Sequence, residues 1–130
     1  MILLDTHVVV WMMLSPELLS SRVRDAILQV RMAGERIACS SLTFYEIAHA
    51  AGRRKLKLNS TVEAFIAAVE GRIDAIPLSP PIAICAAELP EDFSGDPFDR
   101  LIAATAIVGD YTLITYDDRI RKAGVCKVLW

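Results

Sequence analysis

Short apolar runs alternate along this chain with longer stretches whose apolar residues recur every three or four positions. That pattern predicts strands interleaved with helices. Ile2 to Leu4 is too short and too apolar for anything but a buried strand, and Asp5-Thr6 supplies helix-capping side chains before Val8, Trp11 and Met12 recur at helical spacing. Ser20 or Ser21 opens a second helix with Val23, Ile27 and Val30 on one face, and Gly34 ends it. Ile37 to Ser40 reads as a second strand. Ser40-Ser41 then caps a helix from about Leu42 to Ala51, stopped by Gly52. After the basic link Arg53-Arg54-Lys55-Leu56-Lys57, residues Asn59 to Thr61 cap a helix through Phe65, Ile66 and Val69.

Ile73 to Leu78 is the third predicted strand, and Pro80-Pro81 opens a helix over Ile82 to Leu89. A polar, acidic stretch from Pro90 to Gly95 leads to Asp96-Pro97, a cap followed by proline at the first helical position, and a helix to about Val108 ended by Gly109-Asp110. Thr112 to Thr115 is the fourth strand, Asp117-Asp118 caps a short helical turn, and Val125 to Leu129 is the fifth strand. Strands apolar on both faces and separated by helices imply an α/β fold with one parallel sheet covered on both sides. Ligands of such sheets bind beyond the carboxyl ends of the strands, where the strand order reverses.

Composition narrows the class. A chain of 130 residues, 54% hydrophobic and 23% charged, describes a single domain over residues 1–130 with enough apolar surface for a core, and excludes disorder, collagen and coiled coil. The longest uninterrupted apolar run, Val8 to Leu14, is seven residues, against the roughly 20 that a membrane-spanning helix needs. Cys39, Cys85 and Cys126 are odd in number, far apart and set in apolar stretches, so they read as reduced core residues. No leader resembling a signal peptide precedes Asp5, and the expected location is the cytoplasm. The net charge of −2 counts against a polyanion ligand.

Four carboxylates change that picture. Asp5 is the only charged residue among the first sixteen and directly follows the first strand; helix capping is its plainest role, and capping is compatible with metal binding. Glu46 is the only charged residue between Ile37 and Gly52. Thr43-x-x-Glu46 matches a capping box, which would tie it to its own helix start; otherwise a half-buried carboxylate on an apolar helix demands a cation or a donor. Asp96 and Asp99 lie three apart at a helix start, where they share a face and the positive end of the helix dipole. Asp117 follows the fourth strand as Asp5 follows the first, while Asp118 beside it faces solvent. All converge on one edge of a parallel sheet.

Such a cluster repels itself unless cations occupy it, and all-oxygen ligands suit Mg²⁺ or Mn²⁺. Two ions can clamp a phosphodiester for in-line attack by an activated water. Thr6 and Thr115 could add hydroxyls, although a cap and a strand filler are the plainer readings. His7 reads as an ordinary helix residue beside the site. Two alternatives use the same fold: a phosphoacceptor receiver domain, which needs an adjacent acidic pair and a late lysine that this chain lacks, and a catalytically silent binding module that uses the sheet edge as a groove.

Met1-Ile-Leu-Leu-Asp-Thr-His, Tyr45-Glu-Ile-Ala, Leu56-Lys-Leu, Asp96-Pro-Phe-Asp-Arg-Leu-Ile-Ala-Ala-Thr-Ala, Leu113-Ile-Thr-Tyr-Asp and Val128-Leu-Trp, in that order, resemble PIN-domain ribonucleases, and among them VapC-type toxins of toxin-antitoxin pairs. The resemblance implies a PIN-like three-layer sandwich with about five parallel strands. It implies Asp5, Glu46, Asp99 and Asp117 as a catalytic acidic quartet holding one or two Mg²⁺ or Mn²⁺ ions, with Asp96 as an additional acid. It also implies RNA as substrate, a homodimer, and a VapB-type antitoxin as inhibitor. Family members often carry a histidine shortly before the Asp96 block, where this chain has Phe93-Ser94-Gly95. Two basic groups, Arg53 to Lys57 and Arg119, Arg121 and Lys122, are available to track phosphates or simply to face water.

Overall fold

A computed structural model describes residues 1–130 and contains the expected alternation: β1 (Ile2–Leu4), α1 (Thr6–Leu14), α2 (Ser21–Met32), β2 (Ile37–Ser40), α3 (Leu42–Gly52), α4 (Val62–Glu70), β3 (Ile73–Ile76), α5 (Pro80–Glu88), α6 (Pro97–Gly109), β4 (Thr112–Ile114), α7 (Asp118–Ala123) and β5 (Val128–Leu129). The strands form one parallel sheet in the order β3-β2-β1-β4-β5. From β1 the chain builds outward to β2 and β3, then returns to the other side of β1 for β4 and β5. The order therefore reverses at the β1/β4 pair.

Successive strand residues point to opposite faces, and both faces are buried. Ile2, Leu4, Cys39 and Ile114 pack on one side with Val8, Val23, Ile27, Ile47, Phe65 and Val69 from α1 to α4. Leu3, Ala38 and Leu113 pack on the other with Ile102, Ala103 and Ala106 of α6 and Ile120 of α7. Helix α5 lies against α6 through Ile82, Ala86 and Ala104. The result is the helix-sheet-helix sandwich that the pattern predicts. No helix is long and apolar enough to cross a membrane.

Capping side chains set the helix starts. Asp5, Ser20, Thr61, Asp96 and Asp117 each accept a hydrogen bond from a backbone N–H in the first turn of α1, α2, α4, α6 and α7. Three elements depart from expectation. Pro16–Leu18 forms a 3-10 turn that the pattern does not announce. Strand β3 ends at Ile76, one residue before Pro77, which has no N–H to extend the ladder. Strand β5 contains only Val128 and Leu129, since three-residue β4 offers only Leu113 and Ile114 as partners. The cysteines are free as expected, and burial pushes the Cys39 thiol up to about 12.

Arg100, unremarked in the sequence, fastens the loop before α6. Its Nε donates to Ala86 O at 3.2 Å, Nη1 to Pro90 O at 2.9 Å and Ser94 O at 3.2 Å, and Nη2 to Leu89 O at 2.6 Å. Only the forked guanidinium reaches four carbonyls at once. Replacing it with methionine keeps the stem and strands the acceptors, so Arg100→Met is expected to lose about 2 kcal/mol of unfolding free energy in urea titration. Arg100→Lys should recover less than half of that; recovery in full would show that charge rather than the fork holds the loop.

Candidate active site

The β1/β4 switch point is where the carboxylates gather. Asp5, at the exit of β1, is only 5% exposed. Its Oδ1 accepts from Thr6 N at 2.8 Å and its Oδ2 from Thr115 Oγ1 at 2.7 Å, so one side chain caps α1 and is held from β4. Glu46 is not in a capping box. Its Oε1 accepts from Thr6 Oγ1 at 2.6 Å, and Thr6 Oγ1 lies 3.0 Å from Thr43 Oγ1, while the start of α3 is served by Ser40 Oγ, which accepts from Leu42 N. Asp99 Oδ2 accepts from Ser94 Oγ at 3.0 Å, and Ser94 Oγ accepts in turn from Asp96 N at 3.1 Å. Asp117 caps α7 by accepting from Arg119 N at 2.8 Å, and its own N–H donates to Thr115 Oγ1 at 3.1 Å.

Asp5, Glu46, Asp99 and Asp117 line one cavity of about 380 Å³, together with Lys55 and an apolar wall that includes Trp11 and Leu56. Asp96 is outside this lining; it caps α6 by accepting from Phe98 N at 2.9 Å. Asp118 faces solvent as expected and pairs with Arg121 at 3.0 Å.

Three residues do work that the sequence does not reveal. Arg119 reads as a free surface cation, yet its Nη2 donates to Asp117 Oδ2 at 2.8 Å and Asp99 Oδ2 at 3.3 Å, bridging two of the four acids. Ser94, in the stretch where a histidine would follow from the resemblance, tethers Asp99. His7 Nε2 accepts from Tyr116 N at 3.0 Å, which assigns the ring proton to Nδ1, 3.6 Å from Asp5 Oδ2. The only sequence signal for any of them is proximity: each lies within five residues of an acid.

Electrostatics set the four carboxylates apart. Burial raises the pKa of Glu46, with Asp5, Asp96 and Asp99 adding to the rise and the Thr6 hydrogen bond opposing it. Burial likewise raises that of Asp99, with Ser94 and Arg119 opposing. Asp117 is shifted down, chiefly by its hydrogen bond from Arg119. Burial also lowers the pKa of His7, against the pull of Asp5 and Asp117. No three His, Cys, Asp or Glu side chains stand close enough together to hold a metal ion as they are. Thr6, Thr115, Ser94 and Arg119 donate to the carboxylate oxygens.

The model of the PIN domain matches residues 2–125. The chain belongs to the PIN-domain family. Ribonuclease VapC22 of Mycobacterium tuberculosis is 32% identical over 121 residues, covering 93% of this chain and 90% of that protein. Among solved structures, the fold is similar to that of VapBC2 from Rickettsia felis, solved bound to a DNA fragment of its promoter (TM-score 0.74, 20% identity, 99% of this chain and 98% of that one). It is also similar to a toxin-antitoxin complex from Klebsiella pneumoniae (TM-score 0.68, 22% identity, 100% and 97%). The parallel five-stranded sheet between helices is thus a PIN fold, and PIN membership removes the receiver-domain alternative.

The raised pKa values of Glu46 and Asp99 carry a stability consequence for this PIN domain. A carboxyl whose folded pKa lies above its unfolded value contributes stability that is complete below the unfolded value and lost as pH rises through the folded one. Glu46→Gln keeps an acceptor for Thr6 and removes one charge. Metal-free Glu46→Gln is therefore expected to melt above the wild type at pH 7, by about 3 °C for each ~1 kcal/mol of repulsion relieved. Below about pH 4.5, the ordinary glutamate value, the difference should close. A variant that melts lower than the wild type at pH 7 would contradict the repulsion.

Proposed function

We propose that this chain is a divalent-metal-dependent endoribonuclease, the toxin of a VapBC-type pair. The observation that carries the reading is the meeting of Asp5, Glu46, Asp99 and Asp117 in one cavity at the switch point of a PIN fold. The identity to Ribonuclease VapC22 over nearly the whole chain supports RNA as the substrate. The toxin-antitoxin complexes among its structural relatives support a VapB-type antitoxin as the partner. In this reading residues 1–130 act as one domain in the cytoplasm, paired as a homodimer.

The donor set fits a hard divalent ion. It is entirely oxygen, it is partly desolvated, and it holds more negative charge than Arg119 and Lys55 can balance, which is what Mg²⁺ or Mn²⁺ would relieve. Asp5, Glu46, Asp99 and Asp117 would hold the ion, with Asp96 adding charge from the rim. When bound, it supplies Lewis acidity at a phosphodiester oxygen and makes a water easier to deprotonate.

The chain's own residues do the rest. Thr115 and Thr6 fix Asp5 and Glu46 and so set how these carboxylates face the cavity. Glu46 and Asp99, whose charge is the most strongly disfavoured by burial and by neighbouring acids, gain most from a nearby positive charge. Lys55, on the cavity wall, offers a positive charge to the phosphate. Arg119, which donates to both Asp99 and Asp117, holds these two carboxylates beside each other.

Purified protein should cleave RNA with Mg²⁺ or Mn²⁺ and stop with EDTA. Asp5→Asn keeps the shape of the side chain and one acceptor oxygen, enough for the α1 cap, and is expected to lower cleavage by at least about 100-fold, whereas Asp118→Asn should stay within about two-fold. Undiminished cleavage by Asp5→Asn would overturn the reading.

A further inference from the structure

The rim of the acidic cavity carries a row of aromatic rings that the core does not use. Tyr45 and His49 lie one turn apart on α3, on either side of Glu46, and Phe98 precedes Asp99 at the start of α6. The Tyr45 ring stacks on Phe98 with centroids 5.5 Å apart and planes 17° apart, and on His49 at 5.5 Å and 19°. Tyr45 is 55% exposed and His49 is also exposed, and neither packs with any of the buried clusters, although Phe44 and Ile47 on the same helix do. A large ring on a helix surface is ordinary by itself; three in near-parallel register across two elements are not.

A basic track continues the row. Arg53 follows Tyr45 and His49 at the same four-residue interval, and with Arg54, Lys55 and Lys57 it places four cations in five residues, none of them in a salt bridge. Lys55 lines the acidic cavity, whereas Arg54 and Lys57 line a second cavity of about 450 Å³ that shares Leu56 with the first. Arg54 is held there with φ of 57°.

Resting on the ribonuclease reading, we propose that Phe98, Tyr45 and His49 are a stacking platform for unpaired bases of the RNA beside the cleaved phosphate, and that Arg53, Arg54 and Lys57 carry its backbone away from the site. A partly exposed stack of rings continued by cations in no salt bridge matches single-stranded nucleic acid, because an unpaired base can extend the stack and every linkage carries a charge to neutralise. A duplex keeps its bases stacked on one another and gains nothing from the rings.

The test is fluorescence anisotropy of a labelled unpaired RNA oligonucleotide of about eight nucleotides with the full chain in EDTA, so that cleavage plays no part. Tyr45→Ala should weaken binding about ten-fold and Tyr45→Phe should restore it. Arg53→Gln with Arg54→Gln should flatten the slope of log K against log salt by about 1.4. A blunt-ended duplex of the same length should bind more weakly than the open strand. Equal binding by Tyr45→Ala, or a duplex held as tightly, overturns the proposal. So does a change in sedimenting mass with Tyr45→Ala, which would give this face to a second copy of the chain. Cleavage with Mg²⁺ is measured in parallel: cleavage without dependence on Tyr45 sinks the platform alone, and Tyr45-dependent binding without cleavage sinks the nuclease reading alone.

Discussion

Four carboxylates converging on the end of one short parallel sheet repel one another, and their surroundings are arranged to hold them in place. Three hydroxyls do most of the holding. Thr6 secures Glu46, Thr115 secures Asp5, and Ser94 secures Asp99, each hydroxyl donating to a carboxylate oxygen across a separation that joins different elements or fastens a loop. Arg119 adds the only direct ion pairs to Asp99 and Asp117. A hydroxyl fixes a carboxylate without neutralising it, and that leaves the charge available to a divalent ion.

The fold explains why the acids meet. Because β1 and β4 are neighbours despite the 100 or so residues between them, the residues that leave these two strands emerge side by side. Asp5 and Thr115 are those residues, Asp117 follows two positions later, and Asp5 and Asp117 each cap the helix that comes next. Helix α3 brings Glu46 to the same edge from above β2, and α6 brings Asp99 from the opposite layer. The second of these depends on the loop before α6, where Arg100 gathers four carbonyls and so positions Ser94. Stability spent on repulsion at the site is recovered in the two buried faces of the sheet.

Much of this is legible in the sequence, and the limits have physical causes. Asp5 and Glu46 stand out because a lone charge in an apolar run has few places to go. Strand and helix order follow from short apolar runs and capping residues. Asp96 and Asp99 are not separable by spacing, since both suit a helix start; the structure gives the cap to Asp96 and the cavity to Asp99. The capping box at Thr43 and Glu46 is a true pattern that loses to a partner 40 residues away, Thr6, which no local rule can see. Arg119 is misread for the same reason: beside Asp118, Arg121 and Lys122 it looks like part of a solvated run. Net charge misleads too, because a sum over the whole chain hides that four acids gather at one edge of the sheet while Arg53 to Lys57 form a separate basic run.

If these four carboxylates are the ligands of a divalent ion, anomalous scattering from crystals soaked in Mn²⁺ should give a peak enclosed by Asp5, Glu46, Asp99 and Asp117. A map without a peak there would mean that the acids of this cavity do not form a metal site.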